Sequence, residues 1–156
     1  MEHPVKAADV VSASVVGAYL FFVVRWAEGG DARFLVGALG AALTNAAIEV
    51  IKKALPDSPA FRRPAGAIDC GALCGGGRAD GAPGFPSGHA ALAAFFFAYM
   101  YLLSPTPTLL ALGVAGVAAV CAARVAKRCH TPAQVCAGAA FGAVAAACAA
   151  RLVRKK

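Results

Sequence analysis

Five apolar runs dominate this chain, at residues 10–24, 34–51, 89–103, 109–123 and 133–150. Backbone polar groups cannot enter lipid unpaired, so runs of this kind span a membrane as helices. A spanning helix needs about 20 apolar residues and at least about 17. Several of the runs fall at or just below that limit, so snorkelling flanks or local bilayer thinning must cover the difference. The alternative is a soluble bundle, which would show charged faces with a period of 3.6 residues. The fourth and fifth runs show none. Hydrophobic residues make up 60% and charged residues 15%, against about 25% charged in ordinary globular domains. The sequence therefore predicts an all-α integral membrane bundle of about five transmembrane helices, forming one domain over residues 1–156.

The net charge of +7 raises nucleic acid as a partner, but its distribution argues against it. The 15 Lys and Arg residues lie mostly between the apolar runs and at the C-terminus, as membrane topology requires. No basic stripe is interleaved with aromatics. The first run is followed by Arg25, Trp26, Ala27 and Glu28 instead of a small-residue cleavage site, so it reads as a retained helix. Gly138 and Gly142 form a GxxxG pair that predicts close helix packing. Cys121, Cys136 and Cys148 lie within apolar runs and are expected to be small core residues. Cys70 and Cys74 sit in the Pro- and Gly-rich stretch at residues 55–86. They are expected to be free to pair with each other if that loop faces an oxidising lumen. Cys129 reads as a bystander.

Residues able to do chemistry gather at helix boundaries. Ser87, Gly88 and His89 open the third helix, whose free N–H groups and dipole favour an anion. Arg124 and His130 flank the turn between the fourth and fifth helices. Lys52, Lys53, Arg62 and Arg63 follow the second. With five spans, residues 55–86, residues 125–132 and the N-terminus all fall on one face. Helix counting alone therefore brings these groups together at a site for a phosphate attached to a lipid. The glycine-rich stretch within residues 71–84 lacks both the Gly-Lys-Ser/Thr ending and the preceding strand of a P-loop. It is expected to cover the site, with Gly84, Phe85 and Pro86 setting the turn into the third helix.

On these residues the chain resembles the type 2 phosphatidic acid phosphatase (PAP2) superfamily. The family's three motifs are a Lys followed at a distance by Arg-Pro, then Pro-Ser-Gly-His, then Ser-Arg-x5-His-x3-Asp. They correspond here to Lys53 with Arg63-Pro64, to Pro86-Ser87-Gly88-His89, and to Ala123-Arg124 with His130 and Gln134. The likeness covers residues from about 45 to about 140. Nine residues separate Lys53 from Arg63 where the family usually has six, which leaves Lys52 as an alternative. Ala123 stands for the usual Ser and Gln134 for the usual Asp. Gln at this place is similar to the dolichyl-diphosphatase branch.

The resemblance implies a PAP2-like core and a metal-independent phosphatase that needs no cofactor. His130 would attack phosphorus and form a phosphohistidine. His89 would protonate the leaving oxygen and then help to activate water. Gln134 would orient His130, and an Asp is expected to be tolerated in its place. Lys53, Arg63 and Arg124 would neutralise the phosphate oxygens, with Ser87 and the Gly88 N–H as donors. The substrate would be a lipid phosphate, with an isoprenoid diphosphate favoured by Gln134. The competing readings are a catalytically inactive PAP2-fold scaffold and a small transporter. The latter calls for ionisable groups near mid-helix, and Thr44 and Asn45 are the polar groups found there. Nine Lys and Arg fall on the motif face and six on the other. Setting aside Lys53, Arg63 and Arg124 leaves the positive-inside rule balanced. The resemblance then implies a lumenal or extracytoplasmic catalytic face and a cytoplasmic C-terminus.

Overall fold

A computed structural model describes residues 7–71, 73 and 75–154. It holds five α-helices, α1 (Ala7–Gly29), α2 (Ala32–Ala54), α3 (Gly88–Leu103), α4 (Pro107–Ala126) and α5 (Pro132–Arg154), with a 3₁₀ turn at Pro59–Phe61. No strand occurs among the described residues; two isolated antiparallel bridges join Arg62 to Pro83 and Ile68 to Arg78. Four of the helices, α1, α2, α4 and α5, are long and apolar enough to cross a membrane. They outrun their apolar runs because each continues into polar flanks, so the shortfall expected from the runs disappears. Local signals set the ends. Asp31 caps α2 by accepting from the Arg33 N–H at 2.9 Å, and Thr106 caps α4 by accepting from Leu109 at 3.1 Å. Gly30, at φ +64°, turns the chain out of α1 while its N–H satisfies the Trp26 carbonyl at 2.7 Å.

The exception in length is α3, with 16 residues. At about 1.5 Å per residue it spans roughly 24 Å, less than a hydrocarbon core of about 30 Å. It is also the central helix, with Ala90, Ala91, Leu92, Ala93, Ala94, Phe95 and Tyr99 buried. A short central helix lets the loop before it dip into the end of the bundle.

The closest packing in the molecule is between α3 and α5. A Cβ on Gly142 would lie 1.9 Å from the Ala91 carbonyl oxygen, and one on Gly138 would lie 2.3 Å from that of Ser87. The GxxxG pair is therefore this seam. Away from the loop, Phe22, Phe95 and Tyr99 interlock, with Phe95 stacked on Tyr99 at 5.6 Å. Tyr99 donates to the Arg33 carbonyl at 2.7 Å, tying the far ends of α3 and α2. At the loop end Lys127 pairs with Asp9, so α1 begins on the same face.

The apolar-run cysteines depart from expectation. Cys136 and Cys148 are exposed and Cys121 is half-buried. Cys121 and Cys136 line a groove between α4 and α5 at the surface of the bundle, where lipid accepts a small apolar side chain as readily as a core does.

Overpacking at the seam generates a test. Gly142→Ala is expected to destabilise the protein by about 1–3 kcal/mol, measured by unfolding in detergent. Gly17→Ala, whose Cβ would meet nothing within 4 Å, is expected to change stability by less than about 0.5 kcal/mol.

Candidate active site

The described residues between 55 and 86 fold back over the loop end of the bundle. Phe61 packs on Phe85 at 5.3 Å between ring centres. Main-chain bonds run from Gly84 to Phe61 at 2.7 Å, from Arg63 to Ala82 at 2.8 Å and from Ala79 to Ala67 at 2.9 Å. A disulfide joins Cys70 to Cys129, 59 residues apart in sequence. The expected pairing of Cys70 with Cys74 is corrected for Cys70, and Cys74 itself lies outside the described residues. Cys129 is no bystander: it sits buried on the α4–α5 turn directly under the loop. Nothing in the spacing signals this pair, because only the fold brings the turn beneath the loop.

His130 follows Cys129 and is 2% exposed. Its Nδ1 lies 2.8 Å from the Gly84 carbonyl oxygen and 3.2 Å from Gln134 Oε1. Both are acceptors, so Nδ1 carries the proton and Nε2 keeps its lone pair. Arg63 Nη1 points at Nε2 from 3.4 Å. Gln134 is fully buried. Its Oε1 also accepts from the Thr131 N–H at 3.2 Å. Its Nε2 donates to the carbonyls of Arg62 and Ala60 at 2.9 and 3.3 Å. Gln134 thus clamps the loop to α5 while orienting His130. The expectation that Asp is tolerated at position 134 does not fit these contacts, because a carboxylate cannot donate to two carbonyls.

Ser87 caps α3 and is buried; its N–H donates to the Gln134 carbonyl at 3.0 Å. Arg124, in the last turn of α4, is fully buried, and its Nη2 donates to the Cys70 carbonyl at 2.7 Å. Neither side chain lines the cavity beside His130. That cavity, of about 570 Å³, is bounded on its polar side by Lys52, Lys53, Arg63, Gly88, His89 and His130. Its other wall is apolar, from Val15, Val16 and Tyr19 of α1 and Leu92 of α3.

The sequence reading missed Asn45 and Glu49, which also line this cavity. With Lys52 they follow the i, i+4, i+7 spacing of one helix face, a signal the sequence carries. Glu49 Oε1 lies 2.6 Å from Lys52 Nζ. The Lys52 side chain is 12% exposed, and it continues the buried stripe of Gly37, Ala41, Thr44 and Ile48 on α2. Lys53 lies a third of a turn away and is exposed.

Burial, then the charges of Arg63 and Arg124, push His130 down to about 3, with the Gln134 bond opposing them. Burial also lowers Arg63, with Glu49 opposing it. The imidazole is therefore neutral across the physiological range. An unfolded chain takes up a proton near the ordinary value of 6.5, which the folded chain refuses until about 3. The stability this represents is present above 6.5 and is lost as pH falls between those two values. A neutral imidazole with its lone pair beside buried cations can attack an electrophile that carries negative charge.

A family model described as the PAP2 superfamily matches residues 34–156. The match takes in nearly all of α2, the loop and α3–α5, and leaves α1 outside. Comparison with curated proteins and with solved structures gives no match.

Histidine-labelled protein in detergent is expected to show the His130 resonance as the neutral Nδ1–H form from about pH 8 down to about pH 5 by ¹⁵N NMR. Gln134→Asp is expected to raise the His130 pKa, through the new anion, and to cut any turnover at least about tenfold, through the lost donor bonds. An unchanged titration and rate in that variant would remove Gln134 from its orienting role.

Proposed function

The chain belongs to the PAP2 superfamily, and from that premise we propose that it is a membrane-embedded lipid phosphate phosphatase working through a phosphohistidine. The observation that carries this reading is the state of His130. Two acceptors hold the proton on Nδ1, burial keeps the ring neutral, and Arg63 stands at the remaining nitrogen.

In the proposed reaction a phosphate group enters the cavity from the membrane face. His130 Nε2 attacks phosphorus, and the phosphorus–oxygen bond to the lipid breaks. His89, which lines the same cavity, protonates the departing oxygen and then takes a proton from the water that hydrolyses the phosphohistidine. Phosphoryl transfer depends mainly on positioning and charge stabilisation. Arg63 on the cavity and the buried Arg124 supply positive charge, and the α3 N-terminus supplies the Gly88 N–H, while the buried Ser87 hydroxyl caps that N-terminus by accepting from the Ala90 N–H. Between the two candidate lysines, we assign the phosphate-binding role to Lys52. It lies on the inward stripe of α2, and its charge acts on His130. Lys53 serves the rim.

The apolar wall of Val15, Val16, Tyr19 and Leu92 suits a hydrocarbon tail. Gln134 in place of a carboxylate, as in the dolichyl-diphosphatase branch, favours an isoprenoid diphosphate. Residues 1–156 are read as a single PAP2-like domain.

Phosphate release by purified protein, against a panel of lipid mono- and diphosphates, tests this function. His130→Ala is expected to lower the rate by more than about a hundredfold and His89→Ala nearly as much. Lys52→Ala should cost more than Lys53→Ala, and chelators should leave the wild-type rate intact. A His130→Ala protein with most of its activity would sink the mechanism.

The same reading places the cavity on the lumenal or extracytoplasmic side. The basic tail, whose Arg151 and Arg154 end α5 and whose Lys155 and Lys156 lie outside the described residues, would then be cytoplasmic. In sealed microsomes a C-terminal tag is expected to be cut by added protease; a protected tag reverses the orientation.

A further inference from the structure

Both arginines that act on His130 are held by main-chain carbonyls, and the two carbonyls belong to the two halves of one disulfide. Arg63 Nη1 donates to the Cys129 carbonyl at 3.1 Å. Arg124 Nη2 donates to the Cys70 carbonyl at 2.7 Å. The two cysteines are bonded to each other, and Cys129 directly precedes His130.

The two carbonyls are not equally well anchored. Cys129 lies on a short turn between two long helices, and its N–H bonds to the Arg124 carbonyl at 3.0 Å. Cys70 enters a glycine-rich stretch in which Gly76 and Gly77 adopt positive φ. Glycine has the most conformational freedom to lose, and among the described residues the main-chain bonds across this stretch run from Asp69 to Gly77 at 2.8 Å and from Gly71 to Gly75 at 2.9 Å. The covalent link fixes the Cys70 carbonyl to the rigid turn, and Arg124 inherits that position.

We propose that the Cys70–Cys129 disulfide is a positioning element of the phosphate site, setting Arg124 directly and Arg63 through the turn, so that phosphate affinity depends on its oxidation. Reduction by a dithiol transfers two electrons and two protons: the reductant's sulfurs become a disulfide, and Cys70 and Cys129 become thiols. The Cys70 carbonyl is then free to leave Arg124. The proposal rests on the phosphate site assigned in the phosphatase reading, and binding of inorganic phosphate tests that site apart from catalysis.

The test is a double-mutant cycle on phosphate binding. Inorganic phosphate is titrated calorimetrically into the purified wild type, into Cys70→Ala/Cys129→Ala, into Arg124→Ala and into the combined variant. Circular dichroism and size exclusion establish that each is folded. The disulfide variant is expected to bind phosphate about tenfold or more weakly, the factor set by one charged hydrogen bond. The loss should be non-additive with that of Arg124→Ala. Unchanged affinity, or fully additive losses, would overturn the proposal, since a merely structural disulfide would act independently of Arg124. If the disulfide variant does not fold, wild-type protein reduced with dithiothreitol after purification takes its place, with the same two criteria. Phosphate binding without lipid phosphate hydrolysis would defeat the phosphatase reading and leave the positioning role standing.

Discussion

The close approach of α3 to α5 governs everything at the loop end of the bundle. Gly138 and Gly142 let the α5 backbone reach the Ser87 and Ala91 carbonyls, where any larger residue would meet main-chain atoms. That contact fixes the two helix beginnings side by side. The Ser87 N–H can then bond the Gln134 carbonyl, and the segment before α3 can deliver the Gly84 carbonyl to His130. Without the seam, His89 and His130 would belong to separate helix ends with no common wall.

Electrostatics then shape what gathers at that end. A histidine placed among Arg63, Arg124 and Lys52 would be costly if protonated, and burial adds to the cost. The ring avoids it by remaining neutral, which is also the form with a usable lone pair. A neutral Gln suits this arrangement better than a carboxylate would. It accepts from His130 without drawing a proton toward it, and its amide group secures the Ala60 and Arg62 carbonyls of the loop. Glu49 faces the cavity beside Lys52 and offsets part of the positive charge.

Much of the fold was legible in the sequence. Apolar runs and polar breaks located five helices, and counting them put the second, third and fourth helix boundaries on one face. The GxxxG pair marked the tightest seam because small residues permit backbone approach wherever they recur at that spacing. The site was legible in part. Lys53, Arg63, Gly88, His89 and His130 line one cavity, while the Ser87 and Arg124 side chains are buried and do not line it. Lys52 lines the same cavity, and the i, i+4, i+7 spacing of Asn45, Glu49 and Lys52 already contained that helix phase.

The sequence alone determined the membrane-spanning class, the helix count and the side on which the polar segments meet, because hydrophobicity and helix length act locally along the chain. Tertiary structure decided which groups touch. The Cys70–Cys129 bond, the carbonyls that hold both arginines and the tautomer of His130 all depend on contacts between residues tens of positions apart. Such contacts arise from how a loop settles onto a bundle end, and no local pattern encodes them. The exposed cysteines of α5 make the same point: in lipid an apolar side chain is equally at home on either face of a helix, so only the neighbours that a helix finds decide which face is its core.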